Sequence, residues 1–204
     1  MEQIRIDDND YEVLETCASE MSFEGDSKGF EGAVGLKDSK GELFMLGLCE
    51  GNHCQEKDKG RERGHGVVVV MRRVWTSHGT DRVCVWKTVR SLSTPASAHF
   101  QDYSSISVDS SGRVAITSQE ESKLWLGRLS LVENGVFDPS RSEFIEDSVL
   151  DFPRGSDCSV VYCNIEGIHW LNKDMLVAVS DKMKSDQDYQ CLEKDQSIHV
   201  FVMP

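Results

Sequence analysis

A short apolar phrase that occurs three times constrains the fold of this chain more than any other feature. The copies are FEGAVGL at residues 30–36, YSSISV at 103–108 and IEGIHWL at 165–171. Each copy is followed by a polar turn, a second apolar run, a polar loop and a third apolar run. Recurrence at roughly 60 to 75 residues is typical of an array of similar β-units.

The apolar runs of each unit have the composition of β-strands. Residues 67–71 (VVVVM), 83–86 (VCVW) and 198–202 (IHVFV) are short and rich in β-branched or aromatic side chains, as strands are. Turns rich in Asp, Asn and Gly, such as 38–41 and 109–112, are typical of hairpins. The sequence therefore predicts an all-β chain.

The three units align to a common plan of four antiparallel strands, which is the plan of a β-propeller blade. The predicted strands lie at 31–36, 43–48, 67–74 and 82–89, at 105–108, 114–118, 124–129 and 143–150, and at 166–171, 175–180 and 198–203. We therefore predict a single partial propeller over residues 1–204. Its units are 30–90, 103–152 and 165–204, preceded by a strand and loop at 1–29. A β-sandwich is the alternative.

The number of units predicts an incomplete ring. Propellers close with about four to eight blades, whereas this chain supplies three, and the last lacks its outer strand. An open array exposes sheet edges that can pair with other chains. The chain is either the C-terminal part of a longer protein, which we favour, or the partner of another chain, or a strand within 4–16 completes the last blade.

Charge and hydropathy restrict the partners and the compartment. The formal net charge is −13 at pH 7, which disfavours nucleic acid and anionic membranes as partners. No apolar run approaches the about 20 residues that span a bilayer, and residues 1–8 lack the basic and apolar regions of a signal peptide. We expect a soluble, cytoplasmic protein whose partner is another protein or a small molecule.

The chain has seven cysteines, and in this class we expect thiols rather than a disulfide framework. Cys17 and Cys84 lie inside β-like runs and are interpreted as small core residues. For the two equally spaced pairs a metal site and a short disulfide remain the alternatives. These pairs are Cys49 with Cys54, and Cys158 with Cys163.

The phrases FEGA at 30–33 and IEGI at 165–168 resemble the blade openings of phytase-like esterase β-propellers. The run MLVAVSDK at 175–182, in which a strand ends in Ser-Asp before a loop, is similar as well. The likeness covers the first and third units, while YSSI at 103–106 lacks the Glu-Gly. The resemblance implies a closed, calcium-binding propeller that acts on phosphate or other esters, but no motif here matches a catalytic residue of that family.

Polar side chains of the predicted loops gather at one end of such a propeller, where the loops before the first strands and after the second strands open together. Carboxylate and amide oxygens in this position suit Ca²⁺, although an acidic protein has acidic loops everywhere. We take Glu31, Glu166 and Asp181 as candidate metal ligands. The full set of candidates for binding a ligand or cation is Glu31, Glu50, Asn52, Glu120, Glu166 and Asp181.

Glu31 and Glu166 each open a predicted inner strand immediately before a glycine. Glycine allows another backbone or a ligand to approach closely. The two glutamates are either ligands or an acid–base pair, or latches that accept amide hydrogen bonds from a neighbouring unit, which we favour.

The motifs of common enzymes are absent from the sequence. It contains no Gly-x-Ser-x-Gly elbow, phosphate-binding loop, dinucleotide fingerprint or His-Glu-x-x-His. We therefore predict a non-catalytic propeller module that presents an acidic loop face to a ligand or protein partner. The alternative is a calcium-dependent esterase or phosphatase.

Overall fold

The computed structural model describes residues 1–8, 10–23, 29–49, 54, 63–78, 81–130, 136–185 and 187–203. The strands are β1 (Glu2–Asp7), β2 (Asp10–Thr16), β3 (Ala18–Ser19), β4 (Phe30–Lys37), β5 (Leu43–Cys49), β6 (Val67–His78), β7 (Asp81–Ser93), β8 (Ser105–Val108), β9 (Arg113–Ser118), β10 (Lys123–Leu129), β11 (Phe144–Asp151), β12 (Ile165–Asn172), β13 (Met175–Ser180) and β14 (Ile198–Val202). A 3₁₀ helix spans Tyr189–Lys194. The all-β prediction is confirmed. Among the described residues, no helix is long and apolar enough to cross a membrane.

The strands form three larger sheets and one hairpin. The first sheet has the order β3-β7-β6-β5-β4, the second β11-β10-β9-β8 and the third β12-β13-β14, while β1 and β2 pair only with each other as an N-terminal hairpin. Every pairing is antiparallel except that of β3 with β7. The strands lie where the sequence predicts them, but β6 continues to His78 rather than 74 and β7 to Ser93 rather than 89.

The three larger sheets pack one after another, with the first strand of each meeting the first strand of the next. The central strand β8 contacts both β4 and β12. Successive side chains of β9 point to opposite faces of the second sheet. Val114 and Ile116 belong to a hydrophobic cluster shared with the first sheet, and Ala115 belongs to one shared with the third sheet. The second sheet therefore packs against the first sheet on one face and against the third sheet on the other.

The first sheet is also covered on its far side. Val68 and Val70 of β6 belong to the core shared with the second sheet. Val69 and Met71 belong to a separate cluster that includes Cys17 of the N-terminal segment. A strand buried on both faces has a continuous apolar sequence, which explains the run VVVVM.

Cys17 and Cys84 lie in the core as predicted, but the expectation of thiols rather than disulfides is wrong. Disulfides join Cys17 to Cys84, Cys49 to Cys54, and Cys163 to Cys191, and Cys158 is the free thiol. Cys17 and Cys84 are 67 residues apart in sequence and meet because β3 runs alongside β7. Cys163 has Cys191 of the 3₁₀ helix as its partner, so the equal spacing had no structural meaning for that pair.

The N-terminal segment differs from the predicted single strand and loop at 1–29. It forms the hairpin and then β3, which pairs with β7 through Ala18 and Val85. The segment is therefore attached to the first sheet. The explanation in which a strand within 4–16 completes the last unit of the same chain is wrong, because β14 pairs only with β13 among the described residues.

Candidate ligand-binding site

The predicted site residues that the structure describes lie at one end of the three stacked sheets. Glu31 and Glu166 are the second residues of β4 and β12, Asp181 follows β13 directly, and Glu120 lies in the turn between β9 and β10. The first strands begin and the second strands end here, as the strand plan predicts. Glu50 and Asn52 lie outside the described residues.

The pKa of Glu166 is affected by burial and by four charged groups around it. Burial raises the pKa of its carboxyl to about 7, because the charged form loses hydration. Lys184 acts in the opposite direction, while the carboxylates of Glu31, Asp181 and Asp102 raise the pKa further. The surroundings of Glu166 therefore favour its neutral, protonated form up to about pH 7.

Asp102 ties the start of β8 to the turn that carries Glu120. Its carboxylate accepts hydrogen bonds from the Ser118 hydroxyl, from the Gln119 amide at 3.1 Å and from the Glu120 amide at 3.3 Å. Burial nevertheless raises its pKa above the ordinary value, outweighing these hydrogen bonds and the nearby Lys184. Asp102 is a structural carboxylate that also adds negative potential to the site.

Asn164 fixes the loop that carries Asp181 and Lys184. Its side-chain amide donates to the Lys182 carbonyl and to Oε1 of Gln187, each at 2.9 Å, and its Oδ1 accepts from Nε2 of Gln187 at 2.7 Å. The Asp181 amide donates to the Asn164 carbonyl at 2.9 Å. The loop after β13 is therefore held against the start of β12, beside Glu166.

Lys184 is the site residue that sequence reasoning missed. Its ammonium group donates to Oε1 of Gln119 at 3.3 Å and so bridges the second and third sheets. Lys184 lies in the same loop as Asp181, directly after a predicted second strand, and this position could have identified it. Only residues with oxygen ligands were considered as candidates, so a lysine was not included.

The latch predicted for the glutamates is provided by serines of the middle copy. The Ser105 hydroxyl accepts from the Ile168 amide at 3.1 Å, and the Ser107 hydroxyl accepts from the Trp170 amide at 3.2 Å. No described residue forms a hydrogen bond with the Glu166 carboxylate. The latch interpretation is therefore wrong for Glu166.

The glycines after the two glutamates have different neighbours. A Cβ atom on Gly32 would lie 2.7 Å from the backbone nitrogen of Ile106, so this glycine permits the close approach of β4 to β8. A Cβ atom on Gly167 would instead lie 2.7 Å from Cγ2 of Val179 within its own sheet. The expected backbone approach is confirmed at the first copy.

The carboxylates do not form a ready metal site. Within the described ranges, the only three potential ligand atoms of His, Cys, Asp or Glu that all lie within 4.8 Å of one another belong to Glu15, Cys17 and Cys84. The two cysteines form a disulfide, which removes them as ligands. Glu31, Glu166 and Asp181 do not form such a group, although Glu31 and Asp181 both raise the pKa of Glu166.

Comparison with known proteins matches this chain to no family model and to no curated protein.

Proposed function

We propose that the three larger sheets are blades of a partial β-propeller and that the chain is a non-catalytic binding module. The order of the sheets supports this proposal, since each contains an antiparallel meander whose first strand meets the first strand of its neighbour. A β-sandwich packs two sheets face to face, whereas the second sheet here is covered on both faces by further sheets of the same kind.

The proposed ligand presents a cationic group to the acidic end of the sheets. The observation that carries this proposal is the position of Glu166, which is partly buried beside three other carboxylates and receives no hydrogen bond from a described residue. A positive group placed beside Glu166 lowers the free energy of its charged form. Lysine or arginine side chains of a protein partner, or an amine of a small ligand, have the required charge.

Thermal unfolding with a panel of cations tests this function. The probes are spermidine, short peptides that contain arginine or lysine, and calcium chloride at millimolar concentration. We expect an organic cation to raise the melting temperature of the wild-type protein, because ligands that bind the folded state stabilise it. Glu166→Gln abolishes that increase, and Glu42→Gln in the turn at the opposite end of the first sheet retains it. If no organic cation raises the wild-type melting temperature, the proposal is wrong.

The second candidate is the calcium-dependent esterase or phosphatase, and one observation favours it. A carboxyl pKa of about 7 suits a general acid near neutral pH. Among the described residues, these carboxylates do not form a group whose oxygens all lie within 4.8 Å of one another, which does not support a preformed calcium site. Hydrolysis of p-nitrophenyl phosphate and p-nitrophenyl acetate, with and without calcium, decides between the candidates. Turnover that is lost in Glu166→Gln supports the enzyme.

We infer an oxidising compartment for the protein in place of the cytoplasm that the sequence suggested. Three disulfides support this inference, because disulfides persist mainly in oxidising compartments. The number of free thiols in the purified protein tests the pairing on which the inference depends.

A further inference from the structure

The third sheet has an apolar face that no other described element covers. One face packs against the second sheet through residues such as Leu176 and Ala178. On the other face, Ile198, Val200 and Val202 of β14 are 75%, 56% and 80% exposed. They lie opposite β13 residues that are themselves apolar.

The edge of this sheet is also free in the described chain, since β14 pairs only with β13. Exposed strand edges pair readily with other chains, and exposed apolar patches mark interaction sites. The two features coincide on β14. We call this face and edge the acceptor surface.

The N-terminal hairpin has a matching apolar face. Ile4 lies opposite Val13 and Ile6 lies opposite Tyr11, so all four side chains share one side of the ribbon. They are 43% to 81% exposed. The other side carries the pair of Arg5 and Glu12, whose Nη1 and Oε2 atoms are 3.0 Å apart. A two-stranded hairpin is only marginally stable in water by itself, so its apolar side favours a partner.

The hairpin and the acceptor surface cannot meet within one chain without rearrangement of the stack. The hairpin is anchored to the first sheet, where Arg73 of β6 pairs with Glu15 of β2 and the following strand β3 pairs with β7. The second sheet lies between the first and the third. Each chain therefore carries the N-terminal hairpin at one end of the stack and the acceptor surface at the other. We call the hairpin the donor.

We propose that a second copy of this chain occupies the acceptor surface through its N-terminal hairpin. The apolar side of the partner's hairpin packs face to face on Ile198, Val200 and Val202, beside the free edge of β14. This contact repeats the sheet-on-sheet packing that the chain already contains twice. In a pair of copies, each hairpin covers the acceptor surface of the other copy, which gives a closed dimer with twofold symmetry.

The charge of the chain determines how this dimer responds to salt. Because each copy has a formal net charge of −13, long-range repulsion opposes the dimer. Salt screens that repulsion, so we expect tighter association at higher ionic strength.

Sedimentation velocity of the full chain with its disulfides intact tests the proposal. We expect a dimer of twice the 22.9 kDa chain mass, with a larger dimer fraction as sodium chloride is raised. Ile6→Lys in the donor and Val200→Lys in the acceptor give monomers. The matched control, Ile145→Lys, changes a residue that is 51% exposed on the second sheet and remains dimeric. Circular dichroism and thermal unfolding verify that each variant is folded, and Val202→Lys replaces Val200→Lys if that variant is not.

Mixing the two monomeric variants tests the head-to-tail arrangement. The Ile6→Lys chain keeps an intact acceptor and the Val200→Lys chain keeps an intact donor, so the mixture forms one native junction and recovers a dimer. A wild-type chain that stays monomeric at every salt concentration overturns the proposal. It is also overturned if Ile6→Lys alone dimerises, which indicates a face-to-face contact of third sheets, or if the wild type forms an open series of larger oligomers.

Discussion

The hydroxyl of Ser105 accepts a hydrogen bond from the backbone amide of Ile168 at 3.1 Å and thereby joins the first strands of two neighbouring sheets. Both residues are buried, at 6% and 8% exposure. An amide in this position that lacks an acceptor has no access to bulk water. The middle copy of the repeated phrase lacks the Glu-Gly pair, but its serines join the second sheet to the third.

Ser105→Ala should lower the free energy of unfolding by about 1 to 3 kcal/mol, the usual cost of a buried donor left without a partner. Urea unfolding followed by tryptophan fluorescence measures the change. The control is Ser91→Ala, at an exposed position of β7, for which we expect a change within about 0.5 kcal/mol. Equal effects of the two substitutions would show that the Ser105 hydrogen bond does not stabilise the fold.

Gly32→Ala should destabilise the protein because the new Cβ atom would lie 2.7 Å from the backbone nitrogen of Ile106. A backbone atom cannot move aside cheaply, and we expect a loss of about 1 to 3 kcal/mol. Gly29→Ala is the matched control, since no atom of the described residues lies within 4 Å of its Cβ position. The same urea titration compares them, and a neutral Gly32→Ala would contradict the close approach of β4 to β8.

The pH dependence of stability should reveal the raised pKa of Glu166. The folded protein holds this proton up to about pH 7, whereas the unfolded chain releases it near the ordinary value of about 4.3. As the pH rises between these values, the unfolded state binds fewer protons and the wild-type protein loses stability.

Glu166→Gln removes this loss. The variant should match the wild type at pH 4 and exceed it at pH 8 by about 1 to 2 kcal/mol, a range that allows for solvent screening of a half-buried group. Thermal unfolding across this pH range provides the comparison. A stability difference that does not change with pH would show that Glu166 ionises normally.

The thiol content of the protein should reflect three disulfides and one free cysteine. Titration with a thiol reagent in denaturant, without reduction, should detect one thiol, that of Cys158. Prior reduction should expose all seven cysteines of the chain. Seven thiols without reduction would contradict the pairing and would restore the cytoplasm as the expected compartment.

Local chemistry explains why the strands and turns were predictable from the sequence. In the first hairpin turn, Oδ1 of Asp38 accepts hydrogen bonds from the amides of Lys40 and Glu42, both at 2.8 Å. Gly41 adopts a φ of 78°, which glycine tolerates without strain. Both features are encoded within five consecutive residues and require no knowledge of the rest of the fold.

Contacts between distant residues were not predictable in the same way. Cys17 and Cys84 are 67 residues apart, and Ser105 and Ile168 are separated by 63. Both pairs depend on how the strands are arranged in three dimensions. The order of the predicted strands was enough to place Glu166 and Asp181 at one end of the sheets. The contributions of Asp102 and Lys184 depend on contacts between distant residues and were not predicted.

Carbon-13 NMR titration of the Glu166 side-chain carboxyl most directly tests whether its pKa is raised in the free protein and lowered by a bound cation. Comparison of the wild type with Glu166→Gln assigns the resonance. We expect a midpoint near pH 7 in the free protein and a lower midpoint when the organic cation that stabilises the fold is present. A midpoint near the ordinary value of about 4.3, unchanged by any cation, would contradict the account.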